Sequence, residues 1–161
     1  MATAPSTRPA IPRVESLEGA VDLAALFPKF RSAPYTLLFD SAMPHPQLGR
    51  YSYMTADPFL VVRYMRRRIY LERDGVCEES EGDPLVMLGD LLGRYATPTI
   101  QGLPPFQGGA AGYIGYDLGR IIERLPVLAD DDLELPDLCL AFYDWVLARD
   151  SLEERSWLIS T

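Results

Sequence analysis

The residues with the most unusual spacing lie between Leu103 and Arg120, LPPFQGGAAGYIGYDLGR, where Gly108, Gly109, Gly112, Gly115 and Gly119 are interleaved with Tyr113, Ile114 and Tyr116 and followed by the acidic Asp117. Glycine in a strand gives up packing area and loses more backbone entropy than other residues. So dense a run marks positions where another backbone or a ligand comes close. A bent, glycine-kinked core strand is the other reading, and composition leaves both open. Phosphate chemistry of the P-loop kind is excluded because no Gly-Lys-Ser/Thr follows, and the dinucleotide fingerprint cannot be laid over these spacings.

Other side chains capable of chemistry are scattered rather than grouped. His45 is the single histidine and sits in a proline-containing loop, with no paired carboxylate, cysteine or second histidine beside it in sequence. Cys77 and Cys139 make neither a metal spacing nor a disulfide framework. The basic run Arg66-Arg67-Arg68 reads as a solvated hairpin turn with local ion pairs, and Cys77 to Asp83, CEESEGD, as an acidic loop without EF-hand spacing. No nucleophile, base and orienter set is visible.

The elements that must position these residues follow from periodicity. Gly19 to Phe30 gives a short helix interrupted at Pro28, and Asp83-Pro84 opens a second with Leu85, Leu88, Leu91 and Leu92 as its core face. Asp117 to Leu125 forms one or two helical turns with Asp117 as cap. Tyr35 to Phe39, YTLLF, is a strand apolar throughout and thus buried on both faces. Arg50 to Met54, Phe59 to Met65 and Ile69 to Glu72 are further strands, with Asp74-Gly75 closing a hairpin. Ala129 to Glu134 is an acidic loop, Leu138 to Ala148 one long strand, and Ser156 to Ile159 its partner, still running where the sequence ends. The fold class is therefore α+β: a mainly antiparallel sheet with two or three helices packed on it.

Two blocks carry a resemblance. PPFQGGAAGYIGYDLGR and, in the same order and at a similar separation, YTLLFDSAMPHPQLGRYSYMTADP (Tyr35 to Pro58) resemble the N-terminal region of chorismate-utilising enzymes of the anthranilate synthase component I family, most of all its aminodeoxychorismate synthase branch. The resemblance extends weakly from about Leu17. Residues 1–16, rich in Ala, Ser, Thr and Pro, are expected to be a mobile tail, and the resemblance implies 17–161 as a family N-terminal domain cut before the chorismate-binding domain, its sheet part of a β-sandwich.

Further expectations come from the resemblance alone. The parent would convert chorismate and ammonia to 4-amino-4-deoxychorismate for 4-aminobenzoate and folate synthesis, with Mg²⁺ held by carboxylates of the C-terminal domain and ammonia supplied by a glutamine amidotransferase. The fragment alone would be inactive, with no catalytic residue or metal ligand. In tryptophan-binding members the serine of the first block and the strand after it line a pocket. That carries over to Ser41, Arg50 and Tyr51, with Asp40 where the feedback-inhibited branch commonly has Glu. A serine ending a strand and an arginine pairing with a surface acid is the plainer account. Anthranilate synthase component I with tryptophan feedback, and a stand-alone amino-acid-binding or interaction module, are the alternatives.

Bulk properties narrow the classes. The 161 residues are 48% hydrophobic and 24% charged, enough for one sizeable core. A net charge of −8 leaves no basic face for general nucleic-acid binding. No apolar run reaches the roughly 18 residues of a membrane span, and a cytoplasmic setting with reduced thiols is expected.

Overall fold

Among the described residues, strand-forming runs separated by tight turns pair into two antiparallel sheets of five strands each. The computed structural model describes residues 11–43, 45, 48–126 and 131–161. The first sheet contains β1 (Arg13–Leu17), β2 (Leu37–Phe39), β3 (Tyr51–Thr55), β9 (Trp145–Asp150) and β10 (Arg155–Ser160), in the order β1-β10-β9-β3-β2. The second contains β4 (Leu60–Met65), β5 (Arg68–Arg73), β6 (Val76–Ser80), β7 (Gly109–Ile114) and β8 (Leu138–Tyr143), in the order β6-β5-β4-β8-β7. The α+β class holds, and the chain builds two sheets where one was expected.

Local chemistry explains the turns and caps. Asp74 and Gly75 both take positive φ, 51° and 74°, as a two-residue hairpin joining β5 to β6 requires. Arg66 and Arg67 do the same between β4 and β5 at 52° and 64° without a glycine. The basic run is thus the hairpin turn expected. Arg66 pairs with Glu134 at 2.9 Å, and Arg68 with Glu79 at 2.9 Å and Glu81 at 3.3 Å. Asp83 caps helix α2 (Pro84–Arg94), its Oδ1 accepting from the N–H groups of Leu85 and Val86. Asp22 caps the single α-turn α1 (Leu23–Leu26), and Pro28 enters the 3₁₀ turn Phe27–Phe30 rather than ending the helix.

Several elements differ from the sequence expectation for identifiable reasons. Arg13–Leu17, read as the end of a mobile tail and the first domain residue, is a strand whose five residues pair with β10. That pairing also places β10 between β1 and β9, so the last strand is not at an edge. β2 is not buried on both faces: it is an edge strand, Leu37 and Leu38 are half-buried, and Phe39 is exposed. Cys77 to Ser80 is strand rather than acidic loop, because the Asp74-Gly75 turn folds it back onto β5. The helix α2 buries Pro84 and Leu91 and half-buries Met87 and Leu88, leaving Leu85 and Leu92 outside. Gly115, not Asp117, occupies the N-cap position of the 3₁₀ segment Tyr116–Ile121, and Asp117 instead accepts from Arg120 at 3.0 Å. The long strand expected from Leu138 breaks at Asp144, and this break carries the chain from one sheet to the other. Pro44, Pro46, Ala129 and Asp130, expected in loops, lie outside the described residues.

The core follows the sheets. Leu60, Val62, Ile69, Leu138 and Phe142 pack with Leu91 of α2, while Leu23 of α1 packs on Met54 and Leu147. Val146, Ala148, Trp157 and Ile159 of the first sheet, and Val61, Ala111, Ala141 and Tyr143 of the second, form two further clusters. Phe106, from the connector between α2 and β7, packs against both. It keys one sheet to the other.

Candidate functional site

The edge strand of each sheet borders the same space. β2 ends the first sheet and β7 the second, and between them lies a cavity of about 710 Å³. The β2 side supplies Leu38, Phe39, Asp40 and Ser41, and β3 supplies Tyr51 and Tyr53. Across from them stand Phe106, then Ala110, Ala111 and Gly112 of β7 and Leu140 of β8. Both sequence blocks, far apart in the chain, thus line one hollow.

The glycine-rich strand reaches this place because its neighbour comes very close. A Cβ on Gly112 would lie 2.1 Å from the Cys139 carbonyl oxygen, and the residue holds φ at +152°. No larger residue fits without moving β8. Close approach of another backbone is therefore the reason for this glycine, and β7 is an edge strand rather than a central one. Gly108 and Gly109 take φ values of +131° and +104° where the connector turns into the strand. Gly115 passes close to Asp137, whose carbonyl accepts its N–H at 2.8 Å. Tyr113 and Tyr116 are exposed, and with Asp117 and Gly115 they stand beyond the cavity rather than in it.

At one end of the cavity the walls are polar. The Ser41 hydroxyl donates to the Tyr51 carbonyl at 2.6 Å, and the Ser41 N–H donates to the Ser52 hydroxyl at 3.0 Å. Ser52 in turn donates to Asp40 Oδ1 at 3.3 Å. Ser41 thus donates to a main-chain carbonyl and not to a base, so nothing here activates it for nucleophilic attack. Asp40, Ser41 and Tyr51 line the same cavity.

Arg50 does not line the cavity; its Nε and Nη2 donate to Asp150 Oδ2 at 2.8 and 2.5 Å, and Nη2 also donates to Glu153 at 2.8 Å. Its guanidinium lies 5.0 Å from the centre of the Tyr51 ring. Asp150 is only 2% exposed and also accepts from the N–H groups of Leu152 and Glu153, fixing the β9–β10 turn. Burial alone would raise its carboxyl, but the Arg50 hydrogen bond and the two backbone donors outweigh this and hold it below the usual carboxylate range. The Arg50 guanidinium is correspondingly pushed up by its bond to Asp150. The partner is a buried acid a hundred positions away, which no local pattern could reveal.

The other end is aromatic. Phe106 stands edge-on to Tyr53 and Phe39, with ring centres 5.6 and 6.4 Å apart. Burial pushes the Tyr53 phenol up to about 12, against a smaller opposing effect of a hydrogen bond with the Phe106 backbone. Phe106, Tyr53 and Phe39 went unselected in the sequence, although Phe106 lies within the PPFQGG run. Among the described residues no group of three or more His, Cys, Asp or Glu is placed to hold a metal ion. His45 Nδ1 accepts from the Leu48 N–H at 3.1 Å, inside its own loop and apart from the cavity.

No family model matches the chain. It is similar to "Anthranilate synthase component 1" of Acetivibrio thermocellus, 37% identical over 136 residues, or 84% of this chain and 28% of that protein. It is also similar to "Aminodeoxychorismate synthase component 1" of Escherichia coli (strain K12), 32% identical over 83% of this chain and 30% of that protein. The protein of the same name from Bacillus subtilis (strain 168) is 36% identical over 70% of this chain and 24% of its own length. The chain therefore spans less than a third of these relatives. Among solved structures, anthranilate synthase component I from Streptococcus pneumoniae TIGR4 superimposes with a TM-score of 0.59 at 22% identity, covering 74% of this chain and 26% of that one, a likeness of fold.

Proposed function

The chain belongs with the N-terminal regions of the anthranilate and aminodeoxychorismate synthase component I family, and from that premise we propose that it frames a chorismate-aminating centre and carries an amino-acid pocket between β2 and β7. The observation that carries the pocket reading is that the hollow draws its walls from both sequence blocks, polar at Ser41 and aromatic at Tyr53 and Phe106. Such a hollow suits a planar side chain at one end and an ammonium and carboxylate at the other, as tryptophan offers. A volume near 710 Å³ is ample for one amino acid.

In this reading the parent enzyme takes chorismate and ammonia to 4-amino-4-deoxychorismate in the cytoplasm. A glutamine amidotransferase component supplies the ammonia, and the chorismate site belongs to polypeptide that the relatives have beyond this region. The chain itself frames and does not catalyse. Mg²⁺, implied by the resemblance, does not fit here: the described carboxylates form no cluster able to hold it, and those nearest the cavity are engaged by Arg50 and Ser52. No step is routed through it.

The similarity to Acetivibrio thermocellus anthranilate synthase component 1, at 37% identity, supports a second reading in which the parent makes anthranilate. Assaying the full-length protein with chorismate, ammonia and Mg²⁺ and identifying the product separates the two. Product aminated at the 4-position is expected; anthranilate would replace the first reading with the second, and no aminated product would remove both. Calorimetric titration with L-tryptophan tests the pocket, for which stoichiometric binding is expected.

A further inference from the structure

Gln107 is an uncharged side chain buried to 7% exposure, and all of its hydrogen bonds go to the main chain of one short connector. Its Oε1 accepts from the Ile100 N–H at 2.9 Å, while Nε2 donates to the carbonyls of Ile100 at 2.9 Å and Pro104 at 3.1 Å. One amide therefore stitches the two ends of residues 100–107 together, in place of the backbone pairing that this proline-containing segment lacks. Directly before it, Phe106 projects between Tyr53 and Phe39 and lines the cavity.

We propose that Gln107 is a positioning residue: by closing the 100–107 loop it holds the Phe106 ring as the fixed aromatic wall that sets which side chain the cavity accepts. This rests on reading the cavity as an amino-acid pocket. Phe106 belongs to no regular element, for α2 ends at Arg94 and β7 begins at Gly109; its ring packs against both sheets, and the backbone that presents it there is closed by the Gln107 bonds. Removing the amide leaves one buried donor and two acceptors to find water, and the loop opens to let it in. An edge-on ring pair tolerates little displacement, since its attraction falls within about 1 Å of misplacement. The wall would then be present in composition but not in position.

The test uses the full-length protein and Gln107→Met, which keeps length and loses the amide, with Gln107→Asn as a second variant should the first not fold. L-tryptophan and L-phenylalanine are titrated calorimetrically, and nuclear Overhauser contacts between the Phe106 and Tyr53 rings are recorded without ligand. Tryptophan affinity is expected to fall about tenfold in Gln107→Met, the ring contacts to vanish, and Phe106→Ala to abolish any further effect of the Gln107 change. A merely stabilising glutamine would instead lower the melting point with contacts and affinity intact, and its effect would persist beside Phe106→Ala; that result overturns the proposal. Should the wild-type protein bind neither amino acid, the pocket reading fails, and the ring contacts alone decide whether Gln107 positions Phe106.

Discussion

The two ends of the cavity are built from the same strand by different means. At the Tyr51 end every wall is fixed by a directional bond: Ser41 to the Tyr51 carbonyl, Ser52 to Asp40, and Arg50 to a buried Asp150 behind the ring. Two residues further along β3, at Tyr53, the walls are rings held by packing, and Gln107 closes the loop that carries one of them. The polar end can therefore be altered one bond at a time, whereas the aromatic end changes as a unit. Its opposite wall, β7, contributes almost no side chain at all. There the cavity exists because glycine and alanine leave room.

That difference orders the expected effects of substitution. The largest falls on the bare wall. Gly112→Ala puts a methyl group against the Cys139 carbonyl at a φ that suits only glycine, and destabilisation of about 3–5 kcal/mol is expected. Chemical denaturation measures it. A loss under about 1 kcal/mol would mean β7 can slide away from β8, and that the aromatic end is less of a unit than its packing indicates.

Next comes the buried acid behind the polar end. Asp150→Ala leaves the Arg50 guanidinium with Glu153 alone and uncaps the β9–β10 turn, for an expected loss of about 2–3 kcal/mol. Because the folded carboxyl is held below its unfolded value, the stability it adds is complete above the ordinary carboxylate range, about pH 4, and is lost as pH falls through the folded value. Asp150→Asn should flatten that acid limb of a stability-against-pH curve. An unchanged limb would assign it to other carboxylates and leave the Arg50 bond without a measurable role.

How much of this was readable beforehand depended on whether the cause was local. Turn and cap chemistry at Asp74-Gly75 and Asp83-Pro84 lies within four residues and was legible. The close approach at Gly112 was legible as one of two readings, since glycine density announces a tight backbone without saying which backbone. β2 misled because a run of apolar residues reads as central whether it is covered by a sheet or sits at an edge beside a cavity. The break at Asp144 was hidden for a related reason: both strands it separates are apolar, and only the change of sheet distinguishes them. At the site, Ser41 and Tyr51 came from the resemblance and do face the cavity, whereas Arg50 turned away to an acid that sequence distance concealed.

A smaller effect separates binding from folding at the polar end. Ser41→Ala removes a single hydroxyl donor to a carbonyl that can recover water, so stability should fall by about 1 kcal/mol or less. Tryptophan affinity of the full-length protein should fall further, by about tenfold, if the hydroxyl also meets the ligand. Equal losses in folding and in binding would reduce Ser41 to a strand-end clasp, and the polar end would be scaffold like the glycine wall.

The smallest effect supplies the baseline against which Arg50 must be judged. Arg68 also pairs with two acids, Glu79 at 2.9 Å and Glu81 at 3.3 Å, yet its side chain is 47% exposed and its partners 47% and 78%. Water screens such a pair and each side chain loses rotamer freedom in making it, so Arg68→Ala should cost below about 0.5 kcal/mol and less still in high salt. Arg50 differs chiefly in having one partner at 2% exposure. If the two arginine-to-alanine variants proved equally mild in thermal denaturation, burial of Asp150 would contribute nothing. The contrast between a bonded polar end and a packed aromatic end would then rest on Ser41 and Gln107 alone.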